Sequence, residues 1–314
     1  MLPSSSNDRE SVTSLLRSIT ETFTDITWSA NNGLIASALT EEIVELMEGS
    51  GCIGFKIGLE SGDPTVLRKL RKPTDISGYR KACEMLDRHR KLFISTNIIL
   101  GIPQETLGNM IHSFSISLSS PTCWTNYYNY QNLPGTELFQ DEAGEASPIT
   151  KLGQEINHSQ DEDSPRSTFN PYAGMPTKKV AAVSGYAIFQ LPNNHIPNSD
   201  ELREIWFTFN TISNYLRNPV LNKLDCKTAV TNAVRWLIAL SEAFPDNPMT
   251  LCLLYYILPY TDLDCDQEAL AQKAKKLMIG SEYWQQRDVQ FRFSDFLSYK
   301  LPPLDSVVEK KNNK

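Results

Sequence analysis

The sequence has no apolar segment long enough to cross a membrane and no excess of basic residues. Its longest uninterrupted hydrophobic run is Leu251–Leu258, whereas a membrane-spanning helix needs about 20 residues. Thirty Lys and Arg residues stand against 37 Asp and Glu, giving a formal net charge of −7, and this balance argues against a binder of nucleic-acid phosphates. The N-terminus carries no apolar leader segment, so we expect a cytoplasmic protein with neither nucleic acid nor a membrane as partner.

Cysteine pairs at metal-binding or redox spacing are also absent. The six cysteines are Cys52, Cys83, Cys123, Cys226, Cys252 and Cys265, and none forms a CxxC pair. The four histidines are dispersed along the chain. We therefore predict no disulfide framework, no zinc module and no metal site. The GxGxxG match at Gly49–Gly54 precedes a predicted strand instead of following one, which is the wrong order for a dinucleotide-binding turn.

Segments rich in β-branched and aromatic residues alternate with helical patterns over the first 140 residues. We predict strands at Ile26–Ala30, Ile53–Leu59, Leu92–Leu100 and Trp124–Gln131. Helices are predicted between them, with Thr40 and Asp63 as caps of two. The strands recur at the spacing of βαβ units. The sequence therefore predicts an α/β fold with adjacent parallel strands that are apolar on both faces.

The second half of the sequence has a different pattern. Residues 141–177 are polar, with scattered Gly, Pro and Ser, and we interpret them as a linker or long loop. Apolar residues at helical spacing, beginning after a cap at Ser199, predict a helical subdomain over residues 178–300. Residues 301–314 form the predicted tail. The domain plan is therefore a strand-and-helix region over residues 1–140, a linker, a helical subdomain and a tail.

Polar residues and glycines follow each predicted strand, where loops converge in parallel sheets. These segments are Asn31–Gly33, Gly58–Gly62, Gly101–Thr106 and Leu133–Glu137. Glu60 and Ser61 offer a carboxylate and a hydroxyl for a ribose or an amino-acid group, although Ser61 or Asp63 equally suits the cap of the next helix. Gly101 permits a flat ring to approach the backbone, and Pro134 starts a segment that a simple turn would also explain.

Three of these segments resemble consecutive motifs of the radical S-adenosylmethionine enzymes, most closely the group that often carries a cobalamin-binding domain. They are GLESGDPTVLRKLRKPT over residues 58–74, NIILGIPQET over residues 97–106 and YNYQNLPGTEL over residues 128–138. All three occur in the family's order and at its spacing, which is a stronger signal than any one of them. The resemblance covers Ser14 to Gln140 and does not extend into the helical half.

The resemblance implies a partial (βα) barrel of the TIM type that binds S-adenosylmethionine across its strand ends. By motif match, Glu60 and Ser61 contact the ribose and the amino-acid portion, Asn97 makes a polar contact, and Ile99 and Gly101 face adenine. Pro134, in the third motif, completes the expected cofactor-binding set. In the family a reduced [4Fe–4S] cluster cleaves the bound sulfonium to a radical, and cobalamin is a possible cofactor of a full-length protein. The small-molecule substrate is not identified.

The sequence also departs from the family. The CxxxCxxC loop that holds the cluster is missing, the first predicted strand aligns with the family's third, and Asn32 stands where arginine is common. Two alternatives follow. The chain is part of a radical S-adenosylmethionine enzyme and inactive alone, or it is a non-catalytic scaffold that keeps the half-barrel. A third reading is an ordinary nucleotide-binding α/β protein. A half-barrel exposes an edge, so an oligomer or a partner is expected to cover it.

Overall fold

Four parallel strands, joined by helices, form the first part of the molecule. In a computed structural model the described residues are 6–72, 75–131 and 180–305, together with Leu138 and Val308. The elements of this part are α1 (Ser6–Thr22), β1 (Trp28–Leu34), a 3₁₀ turn (Ala36–Ala38), α2 (Glu41–Gly49), β2 (Cys52–Glu60), α3 (Pro64–Leu70), α4 (Ile76–Leu86), β3 (Phe93–Leu100), α5 (Leu107–Leu118) and β4 (Trp124–Asn129). The predicted linker at residues 141–177 lies outside the described residues, and so does most of the predicted tail.

The strands are hydrogen-bonded in the order β1-β2-β3-β4, and every neighbouring pair is parallel. This confirms the predicted α/β class with adjacent parallel strands. The register places Gly58 beside Asn97 and Asn97 beside Asn126. All strands therefore end at one edge of the sheet, because neighbouring strands run parallel.

Local sequence explains where the crossover helices begin. The Thr40 hydroxyl accepts a hydrogen bond from the N–H of Ile43, and the Asp63 carboxylate accepts from the N–H groups of Thr65 and Val66. Both caps were predicted from the sequence, and each satisfies donors that the first helical turn leaves free. Asp63 is thus a helix cap, as predicted.

One face of the sheet is apolar and the other is not, which differs from the prediction of two apolar faces. On the apolar face α4 and α5 are fixed to the strands, since the Tyr79 and Thr96 hydroxyls lie 2.6 Å apart and so do those of Ser117 and Tyr127. The opposite face carries Lys56, Gly58, Glu60, Asn97 and Asn126, and we call these five residues the polar face. All except Gly58 are only half-buried, because only the amino-end half of this face packs against an aromatic layer.

That aromatic layer comes from the helical half of the chain. The ring of Trp236 packs against Phe93 and Trp124, with ring centroids 5.6 and 5.9 Å apart. The layer stops below the strand ends. Because side chains alternate between the two faces along each strand, polar side chains remain accessible at the carboxyl edge. This edge is the position at which parallel α/β folds bind ligands.

The first strand differs most from its prediction. Strand β1 runs from Trp28 to Leu34, so Asn31, Asn32 and Gly33 lie within the strand and not in a loop after it. Its pairing with β2 shifts register twice. These residues are poor strand formers, but β1 ends the sheet and its polar side chains face outward, so neighbouring strands decide its extent.

The remaining described residues form helices. They are a 3₁₀ helix (Gly185–Gln190), α6 (Ser199–Thr211), a π-helix (Ile212–Leu216), a 3₁₀ turn (Pro219–Asn222), α7 (Lys227–Ala243), α8 (Pro248–Ile257), a 3₁₀ turn (Leu258–Tyr260), α9 (Gln267–Ile279), α10 (Glu282–Phe291) and a 3₁₀ helix (Phe293–Ser298). The cap of α6 is Asn198, in a capping box with Glu201, one residue before the predicted Ser199. None of the helices described over residues 6–305 is long and apolar enough to cross a bilayer.

A buried ion pair joins two of these helices. Arg287 on α10 donates two hydrogen bonds of 2.7 Å to the Glu204 carboxylate on α6, and its guanidinium lies 4.0 Å from the centre of the Phe207 ring. Both charged side chains are almost fully buried. Removal of either partner would leave an isolated buried charge, which is far costlier than removal of the pair.

The helical half also closes the outer edge of β4. Asn214, in the π-helix, donates from Nδ2 to the carbonyl of Thr125 and accepts at Oδ1 from the N–H of Thr125, both at 2.7 Å. The Trp206 indole donates to the carbonyl of Tyr127 at 2.8 Å. Side chains thus satisfy backbone groups that a fifth strand would otherwise bind.

We expect Asn214→Ala to lower the free energy of unfolding by at least about 2 kcal/mol, because two buried backbone groups of Thr125 lose their partner and each such loss costs about 1–3 kcal/mol. Urea denaturation followed by circular dichroism measures the change. Asn222→Ala, at an exposed asparagine nearby, is the matched control. Equal stability of the two variants would contradict this role for Asn214.

Candidate functional site

The carboxyl ends of β2 and β3 form the rim of the candidate site. Glu60 ends β2 and Gly101 follows β3, and both have a positive backbone φ, 64° and 78°. Glycine adopts this conformation freely, whereas glutamate does so at a cost of about 1 kcal/mol or more. The structure brings these two predicted site residues to one edge, as expected. Pro134 lies outside the described residues.

The unusual backbone of Glu60 turns its carboxylate back over the sheet. A Cβ atom placed on Gly58 would lie 2.7 Å from Oε1 of Glu60, so the carboxylate occupies the space that a side chain at Gly58 would fill. Oε1 also lies 3.6 Å from Nζ of Lys72. Tyr128 lies on β4, beside Ile99 of β3. Burial and, secondarily, the negative charge of Glu60 raise the pKa of Tyr128.

Ser61, the second predicted ligand contact, faces the protein interior. It is fully buried. Its hydroxyl accepts a hydrogen bond from the N–H of Asp63 at 3.1 Å and lies 3.3 Å from the hydroxyl of Ser113 on α5. In this arrangement Ser61 holds the β2–α3 turn against α5, and its side chain does not reach the polar face.

Asn97 lies at the centre of the polar face. Its Oδ1 accepts a hydrogen bond of 3.0 Å from Nδ2 of Asn126. A Cβ atom placed on Gly33 would lie 3.9 Å from Nδ2 of Asn97. The Asn97 amide thus reaches towards Gly33, while the Glu60 carboxylate lies over Gly58, and neither glycine carries a side chain of its own.

Ile99 and Gly101 lie beside the polar face, at the carboxyl end of β3. Ile99 is half-buried and pairs with Tyr128 across the strands. The N–H of Gly101 donates to Oε2 of Glu105 at 2.8 Å, and the N–H of Ile102 donates to the same oxygen at 3.1 Å. The turn after β3 is thus held by a carboxyl group, and a flat ligand would meet Ile99 and the carbonyl side of the Gly101 turn.

Glu105 is the residue that the sequence analysis missed, although it belongs to the GIPQET segment. It is 2% exposed, and its Oε1 has no hydrogen-bond partner among the described residues. Burial, opposed by the two backbone N–H groups, raises the pKa of Glu105 to about 8. The available sequence signal for such a buried cap was a glutamate shortly after the glycine that follows a strand.

A cleft lies near the other end of the strands. This cleft of about 880 Å³ lies between α4, the end of α5 and residues 217–225. Arg90 pairs there with both oxygens of Asp225 at 3.0 and 2.6 Å, and Nζ of Lys223 donates to the carbonyl of Pro121 at 3.0 Å. Because two of its cations already have partners in its own wall, the polar face remains the candidate site.

The cysteines do not fit a [4Fe–4S] cluster. Cys52 starts β2, Cys83 lies within α4, and Cys123 precedes β4, while Cys226, Cys252 and Cys265 belong to the helical half. Three thiolates must reach one small cluster, and burial raises the pKa of Cys52 and Cys123, which opposes thiolate formation. Over the described ranges, no three His, Cys, Asp or Glu side chains are grouped so as to hold a metal ion.

We expect Glu105 to make stability depend on pH. Its folded pKa, about 8, exceeds the ordinary value of 4.5, so the folded state holds a proton that the unfolded state releases. The stabilisation is complete below the unfolded pKa and is lost as pH rises through the folded pKa, by about 1.4 kcal/mol per pH unit in between.

Glu105→Gln carries no titratable proton, so the difference in unfolding free energy between wild type and this variant should fall across that window. Urea denaturation at a series of pH values measures it, with Glu84→Gln, at an exposed glutamate, as control. A difference that stays constant with pH would show that Glu105 is ionised in the folded protein.

Comparison with known proteins assigns no family to this chain. No protein-family model matches it, and no curated protein matches it either. The function of the chain is therefore inferred from the side chains on the polar face and from the three motifs that supply them.

Proposed function

We propose that the chain is a half-barrel of the radical S-adenosylmethionine type that binds S-adenosylmethionine at the carboxyl edge of its sheet. One observation carries the proposal. Glu60 adopts a positive φ and folds its carboxylate over Gly58, on the same rim as Gly101. Strained residues cluster at binding and active sites, and here the strain directs a carboxylate onto a half-buried polar face.

Each residue on this rim has a distinct contribution. The Glu60 carboxylate accepts hydrogen bonds from ribose hydroxyls or from the ligand's ammonium group. Nδ2 of Asn97 donates to a ligand acceptor, since its Oδ1 is already bonded to Asn126. Adenine lies against Ile99 and the Gly101 turn, which the buried Glu105 carboxyl group holds in place. Ser61 contributes indirectly, through the turn that follows Glu60.

The chain binds this ligand without the family's cluster, because its cysteines lie on separate elements. We therefore assign no radical step to it. It serves either as part of a larger radical S-adenosylmethionine enzyme, in which other residues supply the cluster and cobalamin is possible, or as a non-catalytic scaffold. The burial of Ser61 and the dispersed cysteines favour the scaffold, whereas the strained Glu60 favours retained binding.

We expect S-adenosylmethionine to bind and Glu60→Ala to weaken binding by about tenfold or more, because a charge-assisted hydrogen bond contributes about 1.5–3 kcal/mol. Isothermal titration calorimetry measures the affinity. Glu45→Ala removes a carboxylate from the exposed surface of α2 and should leave the affinity unchanged. Tight binding that survives Glu60→Ala would place the ligand elsewhere.

We expect this chain to form no 5′-deoxyadenosine. The assay is anaerobic reconstitution with iron and sulfide, followed by incubation with S-adenosylmethionine and a strong reductant. The nucleoside product is measured instead of bound iron, since bound iron alone could be adventitious. Product formation by the chain would show that its cysteines assemble a cluster in an arrangement other than the one described.

A further inference from the structure

The cleft between α4, the end of α5 and residues 217–225 has no part in the proposed function. Its volume of about 880 Å³ lies within the range of about 300–1,000 Å³ that is typical of small-molecule sites. Four cationic side chains line it, and they are Arg80, Arg90, Arg217 and Lys223. The charges that remain available on these side chains determine which class of ligand the cleft can take.

Three carboxylates line the same cleft, but none of them pairs with Lys223. Asp225 is bonded to Arg90 through both of its oxygens, at 3.0 and 2.6 Å. Glu84 and Asp87 lie on the exposed surface of α4, where water and salt screen their charges. The carboxylates therefore weaken the positive potential at the surface of the cleft without compensating the cation in its wall.

Lys223 is that cation, and it is 6% exposed. Its ammonium group donates one hydrogen bond, to the carbonyl of Pro121 at 3.0 Å, and no carboxylate of the described residues forms an ion pair with it. Pro121 lies just beyond the end of α5, and the C-terminus of a helix supplies only about half of a negative charge. An ammonium group has three N–H donors. Lys223 thus keeps two donors and an incompletely compensated charge, which is costly for a buried group.

Arg80 and Arg217 add guanidinium groups to this wall. Arg217 is held in place because its Nη1 donates to the carbonyls of Leu216 and Pro302, at 2.7 and 2.9 Å. Arg80 is exposed on α4 and pairs with no residue in the described part of the chain. Ammonium and guanidinium groups together are the side chains with which proteins recognise phosphate.

We propose that this cleft binds a phosphorylated small molecule, with a phosphate group of the ligand paired to the Lys223 ammonium and attracted by Arg80. A phosphate group carries about two negative charges near pH 7 and presents several acceptor oxygens. It therefore compensates the buried charge and also uses the donors that Pro121 leaves available. The inference is independent of the proposed function, because the cleft lies near the opposite end of the strands from Glu60 and Gly101.

Inorganic pyrophosphate is the probe, because it presents phosphate groups without an organic part. We expect calorimetry at physiological ionic strength to detect its binding to wild type. Lys223→Met should weaken binding by about tenfold or more, because a charge-assisted hydrogen bond is lost. Arg80→Met should weaken it less, because an exposed cation contributes only a screened attraction.

Lys81→Met is the matched control, since Lys81 is an exposed lysine of α4 that does not line the cleft, and it should retain the affinity. Lys223→Arg keeps the charge and should retain most of it. Circular dichroism verifies folding, and if Lys223→Met fails to fold, Arg80→Met decides, because that side chain is exposed. Absence of pyrophosphate binding by wild type, or an affinity that neither methionine variant lowers, would overturn this proposal and leave the S-adenosylmethionine site untouched.

Discussion

The side-chain hydrogen bonds from Asn214 and Trp206 to the backbone of β4 are the interaction on which the rest of the architecture depends. A four-stranded parallel sheet has an outer edge whose N–H and C=O groups require partners. Asn214 presents a donor and an acceptor to Thr125, as a neighbouring strand would. It reaches Thr125 from a π-helical turn, in which the N–H of Arg217 bonds to the carbonyl of Ile212, a local irregularity that redirects side chains. The helical half and the sheet consequently share one hydrophobic cluster.

This attachment makes the two faces of the sheet unequal. The crossover helices pack on one face, and the aromatic layer at Trp236 covers only the amino-end half of the other. A parallel sheet usually buries both faces. Here the uncovered half holds the polar face, so polar side chains stay accessible at the carboxyl edge of the sheet. A side chain at position 58 would displace the Glu60 carboxylate from this place, because its Cβ would lie 2.7 Å from Oε1.

Residues of one motif have different positions in the structure. Glu60 and Ser61 are adjacent in sequence, yet the carboxylate of the first lies over the polar face and the hydroxyl of the second is buried against α5. In the motif over residues 97–106, Glu105 is buried and caps the turn at Gly101. Successive residues of a strand point to opposite faces, and the Glu60 side chain folds back over Gly58. Sequence similarity identifies such segments but cannot distinguish a residue that touches the ligand from one that supports it.

The amino-acid sequence by itself determined the four parallel strands, the helices between them and the caps at Thr40 and Asp63, because these depend on residues close together in the chain. It also placed Glu60 and Gly101 at one edge, since parallel strands end together. Only the tertiary structure decided the extent of β1 and the half-burial of the polar side chains on one sheet face. These depend on which helices, distant in sequence, pack against each strand. Contacts such as Asn214 with Thr125 join residues far apart in the chain, and no local pattern encodes them.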